Sequence, residues 1–261
     1  MRIIDIHTHV YPQPVAQKAT DSIQVFYELD GAGMNGTVEM LRSRGKEAGI
    51  SQFVVLPVAV LPDRTRHIND FILEQATAYD EFICFGTIHA DQEDVAGEAE
   101  YILSKGLRGI KMHPDFQKFN IDDPRLFPAY EAIEGKIPIM LHMGDLRYDY
   151  SQPARLRHVL ELFPKLDAIA AHFGGYRMYE EAYRQLHDKN CIFDISSSLM
   201  FMEDGVAEDY INRYGAARMA YGTDYPLWDP VKEVQRFLQL KLSDDQLEQI
   251  AWKTASDFLK L

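Results

Sequence analysis

A chain of 261 residues with 46% hydrophobic side chains is long enough for one large domain or two small ones, and it carries an ordinary share of core-forming residues. Its net charge of -13, from 27 basic and 40 acidic residues, disfavours a nucleic-acid partner, whose phosphates call for a basic face. A small charged substrate stays open, because a pocket can carry local charge opposite to the global sign.

The predicted elements begin at once. Arg2 to Val10 reads as a buried strand in which Ile4, Ile6 and Thr8 alternate with Asp5, His7 and His9. Side chains two apart share a face, roughly 7 Å apart along the strand. Two imidazoles so placed can converge on one metal ion at about 2.0–2.1 Å each. The other reading, an edge strand with two solvated histidines, fits the Ile-rich flanks poorly. Tyr11–Gly36 follows as a long connection with a short helix over Val15–Leu29, well placed as a lid.

A regular alternation then sets in. Strands are predicted at Gln52–Val58, Phe82–Ile88, Gly106–Pro114, Pro138–His142, Lys165–Phe173, Cys191–Ser197 and Ala217–Thr223. Helices are predicted at Arg64–Tyr79, Val95–Ser104 and Pro124–Glu134, and the last starts at Ser243 with a capping box completed by Gln246. Cys84 and Cys191 fall inside apolar strands without metal-type spacing, and read as reduced core residues of a cytoplasmic protein. No targeting segment is read ahead of the first strand, and no apolar run approaches membrane-spanning length. Eight strands alternating with helices predict an α/β fold, a (β/α)8 TIM barrel forming one domain over residues 1–261. The runner-up is a doubly wound open sheet. It would carry a Gly-rich phosphate loop after the first strand, where this chain has histidines.

Chemistry in such barrels sits at the carboxyl ends of the strands. Those ends carry His7, His9, Lys111, His113, His142, His172 and Asp224, nearly all of them metal-ligand types. His67, His158 and His187 lie among charged helix residues and read as solvated surface, while His89 divides between substrate contact and structure. Asp145, Arg147, Tyr148, Tyr150, Arg177 and Ser196 to Ser198 are further polar groups near strand ends; an arginine there could clamp a substrate carboxylate, but each taken singly is more simply a loop arginine in water.

The set Asp5-Ile6-His7-Thr8-His9, Leu141-His142, Ala171-His172-Phe173-Gly174-Gly175 and Tyr221-Gly222-Thr223-Asp224-Tyr225-Pro226 resembles the amidohydrolase superfamily. More narrowly, it is similar to the amidohydrolase-2 branch that includes the aminocarboxymuconate-semialdehyde decarboxylase type. The resemblance implies His7, His9, His142 and Asp224 as ligands of one divalent metal, with His172 beside the metal-bound water as base or orienting group. Three neutral imidazoles and a carboxylate leave a dication room for a water, whose pKa falls from about 15.7 towards about 7. Asp224 can then accept a proton and pass it on, and His172 can polarise a carbonyl or shuttle the proton. Zn2+ is the first choice for nitrogen and oxygen ligands without thiolate, with Mn2+, Fe2+ and Ni2+ open.

Lys111 has two readings. In binuclear superfamily members a lysine on this strand is carboxylated, which leaves a second metal through Lys111 and His172 open. The preferred reading is one metal, with Lys111 an ammonium that holds an anionic substrate group or pairs inside the fold. The expected partners are a small-molecule substrate and, as among relatives, a second copy in a homodimer; neither nucleic acid nor membrane is expected. The main expectation for activity is hydrolysis, with a metal-activated water attacking the carbonyl of a small amide, lactone or ester. Its rival is nonoxidative decarboxylation of a small unsaturated or aromatic acid, by enzymes that are generally longer. A non-catalytic metal- or ligand-binding barrel is the reading from another class, disfavoured because an open coordination position makes a poor structural clamp.

Overall fold

A computed structural model describes residues 1–29, 31 and 33–261, so Asp30 and Ala32 of the Tyr11–Gly36 connection lie outside the described residues. The chain gathers into two compact units, one of Met1–Val55 with Ile195–Leu261 and the other of Leu56–Asp194.

The first unit opens with β1 (Ile4–Thr8), α1 (Gln13–Tyr27), α2 (Val38–Ala48) and β2 (Gln52–Val55). β1 and β2 run parallel, with Ile4 opposite Gln52 and Thr8 opposite Val55, and the register shifts between Asp5 and Thr8. An irregularity of this kind re-aims side chains, and here it spans Ile6 and His7. Every residue of β1 is buried, polar ones included. Thr37 caps α2 by accepting the Met40 N–H at 3.2 Å, and Gly49 ends it in the left-handed conformation. A Cβ on Gly45 would lie 2.2 Å from the Phe53 ring, so glycine is what lets α2 rest against β2.

The second unit holds α3 (Thr65–Ala78), β3 (Phe82–Cys84), β4 (Gly86–Thr87), α4 (Val95–Ser104), β5 (Ile110–Met112) and the one-turn α5 (Pro114–Gln117). It continues through α6 (Phe127–Ile133), β6 (Ile139–Leu141), α7 (Pro153–Leu162), β7 (Ala168–Ala170), α8 (Tyr179–Leu186) and β8 (Cys191–Asp194). β4 to β8 are parallel neighbours in chain order, with Gly86, Ile110, Ile139, Ala168 and Cys191 in register. Their carboxyl ends therefore share one side, and β5 to β8 are buried throughout. The strand predicted over Phe82–Ile88 breaks at Phe85. Beyond the break, the Asn69 side chain stands in for a neighbouring strand: it donates to the Thr87 carbonyl at 2.9 Å and accepts the Thr87 N–H at 2.8 Å. Glu98 takes a second Asn69 N–H at 2.8 Å and a two-pronged bond from Arg66.

The chain then re-enters the first unit through α9 (Val206–Tyr214), β9 (Met219–Ala220), α10 (Pro230–Leu238), α11 (Asp244–Glu248) and α12 (Thr254–Leu259). The segment after β9 runs alongside β1. Ile6 N–H donates to Tyr221 at 2.9 Å, Asp224 N–H to His7 at 2.8 Å and His9 N–H to Tyr225 at 2.7 Å. The capping box of Ser243 and Gln246 forms as predicted. A π-helical turn at Gln249–Lys253 follows, with the Ile250 carbonyl accepting the Tyr221 N–H at 2.9 Å. Asp229 caps α10 through the Val231 N–H and takes the Arg44 guanidinium on both oxygens, at 3.0 and 2.6 Å, which ties α10 to α2. Among the described residues no helix is long and apolar enough to cross a membrane.

Two stability measurements test this account. Asn69→Ala orphans both backbone groups of Thr87, and is expected to lower the unfolding free energy by about 2–4 kcal/mol in urea titration. Glu233 is buried in α10, and burial pushes its carboxyl from 4.5 up to about 6, against the pull of Arg236. Folded protein thus holds this proton more tightly than unfolded protein does, so stability falls as pH rises through that window. The loss is complete above it. Wild type is expected to lose about 2 kcal/mol from this group between the two values, and Glu233→Gln to abolish that slope in thermal unfolding at stepped pH.

Candidate functional site

Three of the residues singled out by the sequence meet in the first unit. His7 Nε2 and His9 Nε2 each lie 3.4 Å from Asp224 Oδ1, and the donor atoms of all three lie within 4.8 Å of one another. The two contacts are too long for hydrogen bonds. They suit a shared cation: atoms about 2.1 Å from one ion at tetrahedral angles stand about 3.4 Å apart. The two rings meet edge to face at 5.2 Å between centroids. His7 Nδ1 lies 3.0 Å from Ser196 Oγ. With Nε2 kept as a lone pair for a cation, Nδ1 carries the proton and donates to that hydroxyl, which fixes tautomer and ring together.

Asp224 is fastened as firmly. Its backbone is left-handed at φ 62°, and the Tyr225–Pro226 bond after it is cis. Ser197, also left-handed at φ 48°, donates its hydroxyl to Asp224 Oδ2 at 2.5 Å and itself accepts the Trp228 indole N–H at 2.8 Å. Non-glycine residues hold such backbone conformations only where the surroundings enforce them. Burial, aided by the Asp224 charge, pushes the Tyr11 phenol up beyond its ordinary range, so it is a neutral hydroxyl. Beneath the three donors lies Asp5. Fully buried, it accepts the His7 N–H at 3.1 Å, the Thr223 N–H at 3.0 Å and the Thr223 hydroxyl at 2.6 Å. Gly222 passes so close to β1 that a Cβ would lie 2.9 Å from the His7 Cβ.

His142, His172, His113 and Lys111 belong to the second unit. His142 follows β6, and its Nε2 lies 3.2 Å from the Gly144 carbonyl, an acceptor only, so that nitrogen carries the proton. Its Nδ1 then accepts from His172 Nε2–H at 3.0 Å. For His142 to ligate a metal, one of these two bonds has to be given up. His172 stands in a tight turn after β7, where His172 and Phe173 are left-handed at φ 59° and 55°, and Asp194 accepts its backbone N–H at 3.0 Å. Lys111 is fully buried in β5, in register with Thr87 and Met140.

His113, Asp115 and His142 also lie within metal-binding reach of one another. Their geometry argues against an ion there. The His113 and His142 rings stack 3.9 Å apart and 9° from parallel, whereas an imidazole lone pair lies in its ring plane, so two parallel rings cannot both aim at an atom between them. His113 Nδ1 instead accepts the Phe116 N–H at 3.3 Å and caps α5, and Phe116 stacks on the other face. Asp115 takes the Ser151 hydroxyl at 2.5 Å, and burial pushes its carboxyl up to about 6. His89 Nδ1 accepts the Asp91 N–H at 3.1 Å, and burial lowers its pKa. Gln117 ties the loops together, bonding to the Ala59 and Ile88 carbonyls at 2.8 Å each and accepting the His113 N–H at 2.8 Å.

Asp5, Ser196, Ser197 and Trp228 serve the three donors without carrying a ligand signature of their own. The sequence marks Asp5 by its place in the His7–His9 motif and Ser196 and Ser197 by their place next to a strand end, while Trp228 carries no such signal.

The sequence matches the amidohydrolase family over residues 4–261, and the chain belongs to that family, in its amidohydrolase-2 branch. It is thus an enzyme of the amidohydrolase superfamily, a metal-dependent family, with candidate metal-binding histidines and aspartates. No curated protein matches the chain. Among solved structures it is similar to an uncharacterised TIM-barrel protein from Bordetella bronchiseptica, at 22% identity and TM-score 0.82, over 100% of this chain and 99% of that one. It is also similar to 5-carboxyvanillate decarboxylase from Sphingomonas paucimobilis, at 16% identity and TM-score 0.76, over 100% and 99% of the two chains. A third likeness is dihydroxybenzoic acid decarboxylase from Polaromonas sp. JS666 with bound manganese and the inhibitor 2-nitroresorcinol, at 18% identity and TM-score 0.76, over 99% and 97%. These likenesses show the fold, which is the (β/α)8 TIM barrel that the strand–helix alternation predicts.

Asp5→Ala leaves three donors without their acceptor, and is expected to cost about 3–5 kcal/mol in urea unfolding. Asp5→Asn keeps the shape and one acceptor oxygen, and is expected to cost about 1–2 kcal/mol.

Proposed function

We propose that the protein is a metal-dependent, nonoxidative decarboxylase of a small aromatic or unsaturated acid. The observation that carries this reading is the commitment of the Asp224 carboxylate. Oδ1 faces the two imidazoles and Oδ2 accepts the Ser197 hydroxyl, so both oxygens are already engaged. Hydrolysis would need that carboxylate to accept the proton of an attacking water, whereas decarboxylation needs no attacking water at all. The two similar decarboxylases support the same choice.

In the proposed reaction the bond between carbon and carboxylate breaks, carbon dioxide leaves, and its former bonding pair takes up a proton on carbon. No electron acceptor is required. His7, His9 and Asp224 would hold the cation, and the family motif adds His142. When bound, the cation would supply the positive charge that orients the substrate's carboxylate. His172 is proposed to deliver the proton to carbon. Lys111 is proposed to neutralise an anionic substrate group. Zn2+, the first choice from the ligand types, and Mn2+, held by the Polaromonas enzyme, are the ions to compare. The buried thiols Cys84 and Cys191 support a cytoplasmic location.

Protein stripped and reloaded with Mn2+ or Zn2+ is to be incubated with hydroxybenzoates, unsaturated acids and the matching esters and amides. Carbon dioxide release with uptake of one proton is the expected result. Ester or amide cleavage without carbon dioxide would replace this reading by hydrolysis. His9→Ala is expected to weaken metal binding by at least about 100-fold, beyond the cost typical of a supporting residue.

A further inference from the structure

We infer that Ser197 and Trp228 are positioning residues that hold Asp224 as a one-oxygen metal ligand; the inference rests on the metal-centre reading above. A hydrogen-bond chain of fixed direction ends on this carboxylate. The Trp228 indole N–H can only donate, and Nε1 lies 2.8 Å from Ser197 Oγ. Ser197 Oγ therefore accepts there, and its one proton goes to Asp224 Oδ2 at 2.5 Å. A carboxyl proton cannot share that line with the hydroxyl proton. Oδ2 thus serves as the acceptor of this chain, and Oδ1 is the oxygen turned to His7 Nε2 and His9 Nε2, each 3.4 Å away.

The anchorage is built on both sides. Ser197 and Asp224 both hold left-handed backbone, which presents the hydroxyl and the carboxylate to each other at a conformational cost. The Trp228 ring is braced edge-on by Phe201, with centroids 6.0 Å apart. Ser196, the preceding residue, engages His7 Nδ1 at 3.0 Å. One dipeptide thus orients two of the three proposed ligands, the imidazole by fixing its tautomer and the carboxylate by occupying its second oxygen. Trp228 acts only through Ser197, so the two side chains form a series rather than two independent supports.

That serial arrangement gives the test. Mn2+ affinity of the full-length apoprotein is to be measured by calorimetry for wild type, Ser197→Ala, Trp228→Phe and the double variant. Thermal unfolding of each apoprotein and the electron paramagnetic resonance spectrum of each Mn2+ complex accompany it. Ser197→Ala is expected to weaken Mn2+ binding about 10–100-fold and to alter the spectrum, as the second carboxylate oxygen is released towards the ion. Trp228→Phe is expected to weaken binding less, and the double variant to bind no worse than Ser197→Ala alone, because the upstream donor has nothing left to act through. Losses that add in the double variant would overturn the inference, as would affinity and spectrum unchanged in Ser197→Ala. If Ser197→Ala does not fold, a wild-type affinity in Trp228→Phe overturns it instead. A wild type that binds no stoichiometric Mn2+ or Zn2+ overturns the metal-centre reading itself, a result distinct from all of these.

Discussion

One buried carboxylate holds the first unit's donors in place. Asp5 lies in β1, and the groups it binds come from His7 two residues later and from Thr223, 218 residues away. An ionised carboxylate only accepts, so three converging donors match what it offers, and bonds of this charge-assisted kind are stronger than neutral ones. The Thr223 hydroxyl passes the link on by accepting the Tyr225 N–H at 3.1 Å, so both residues flanking Asp224 are held. Taking such a charge out of water is costly, and only full satisfaction of its lone pairs offsets that cost. The reward is register. Strand and loop cannot slide past each other without uncovering the Asp5 charge.

Irregular backbone then performs the aiming. A regular strand would fix the direction of His7 by its period of two, but the register of β1 shifts across Ile6 and His7. Asp224 and Ser197 are left-handed, a conformation that presents a side chain where an extended backbone would turn it elsewhere. Each departure costs local stability, and the cost is met by bonds concentrated around it: Asp5 below, Ser196 and Ser197 to the side, and the closely packed Gly222 that leaves room for His7.

Much of this was legible in the sequence because the signals were local. Helix Val95–Ser104 has the predicted ends, since Asp94 caps it by accepting the Gly97 N–H at 2.8 Å. The last helix begins where Ser243 and Gln246 form their box. The strands are shorter than their apolar runs: Lys165–Phe173 narrows to Ala168–Ala170, because hydrophobicity extends into buried turns where ladder pairing has ceased. His7, His9 and Asp224 could be found because histidines and an aspartate at strand ends are chemically conspicuous. The roles of Asp5, Ser197 and Trp228 could not, because an aspartate, a serine and a tryptophan have many roles. Which role each plays is settled only by partners that the fold brings from far along the chain.

The same reasoning bears on which reaction a shared scaffold performs. A histidine–carboxylate metal site fixes the charge available to a substrate but not the fate of the proton. That fate turns on whether the carboxylate keeps an oxygen able to accept one. Where neighbouring hydroxyls leave an oxygen open, the group can serve as base to a bound water, and hydrolysis follows. In the proposed reading the Ser197 bond makes that oxygen a weaker base, and proton transfer falls to another group, for which His172 is the proposed carrier. In that reading a serine and a tryptophan beyond the ligands would bias a common metal site away from adding water, with no change in the ligands themselves.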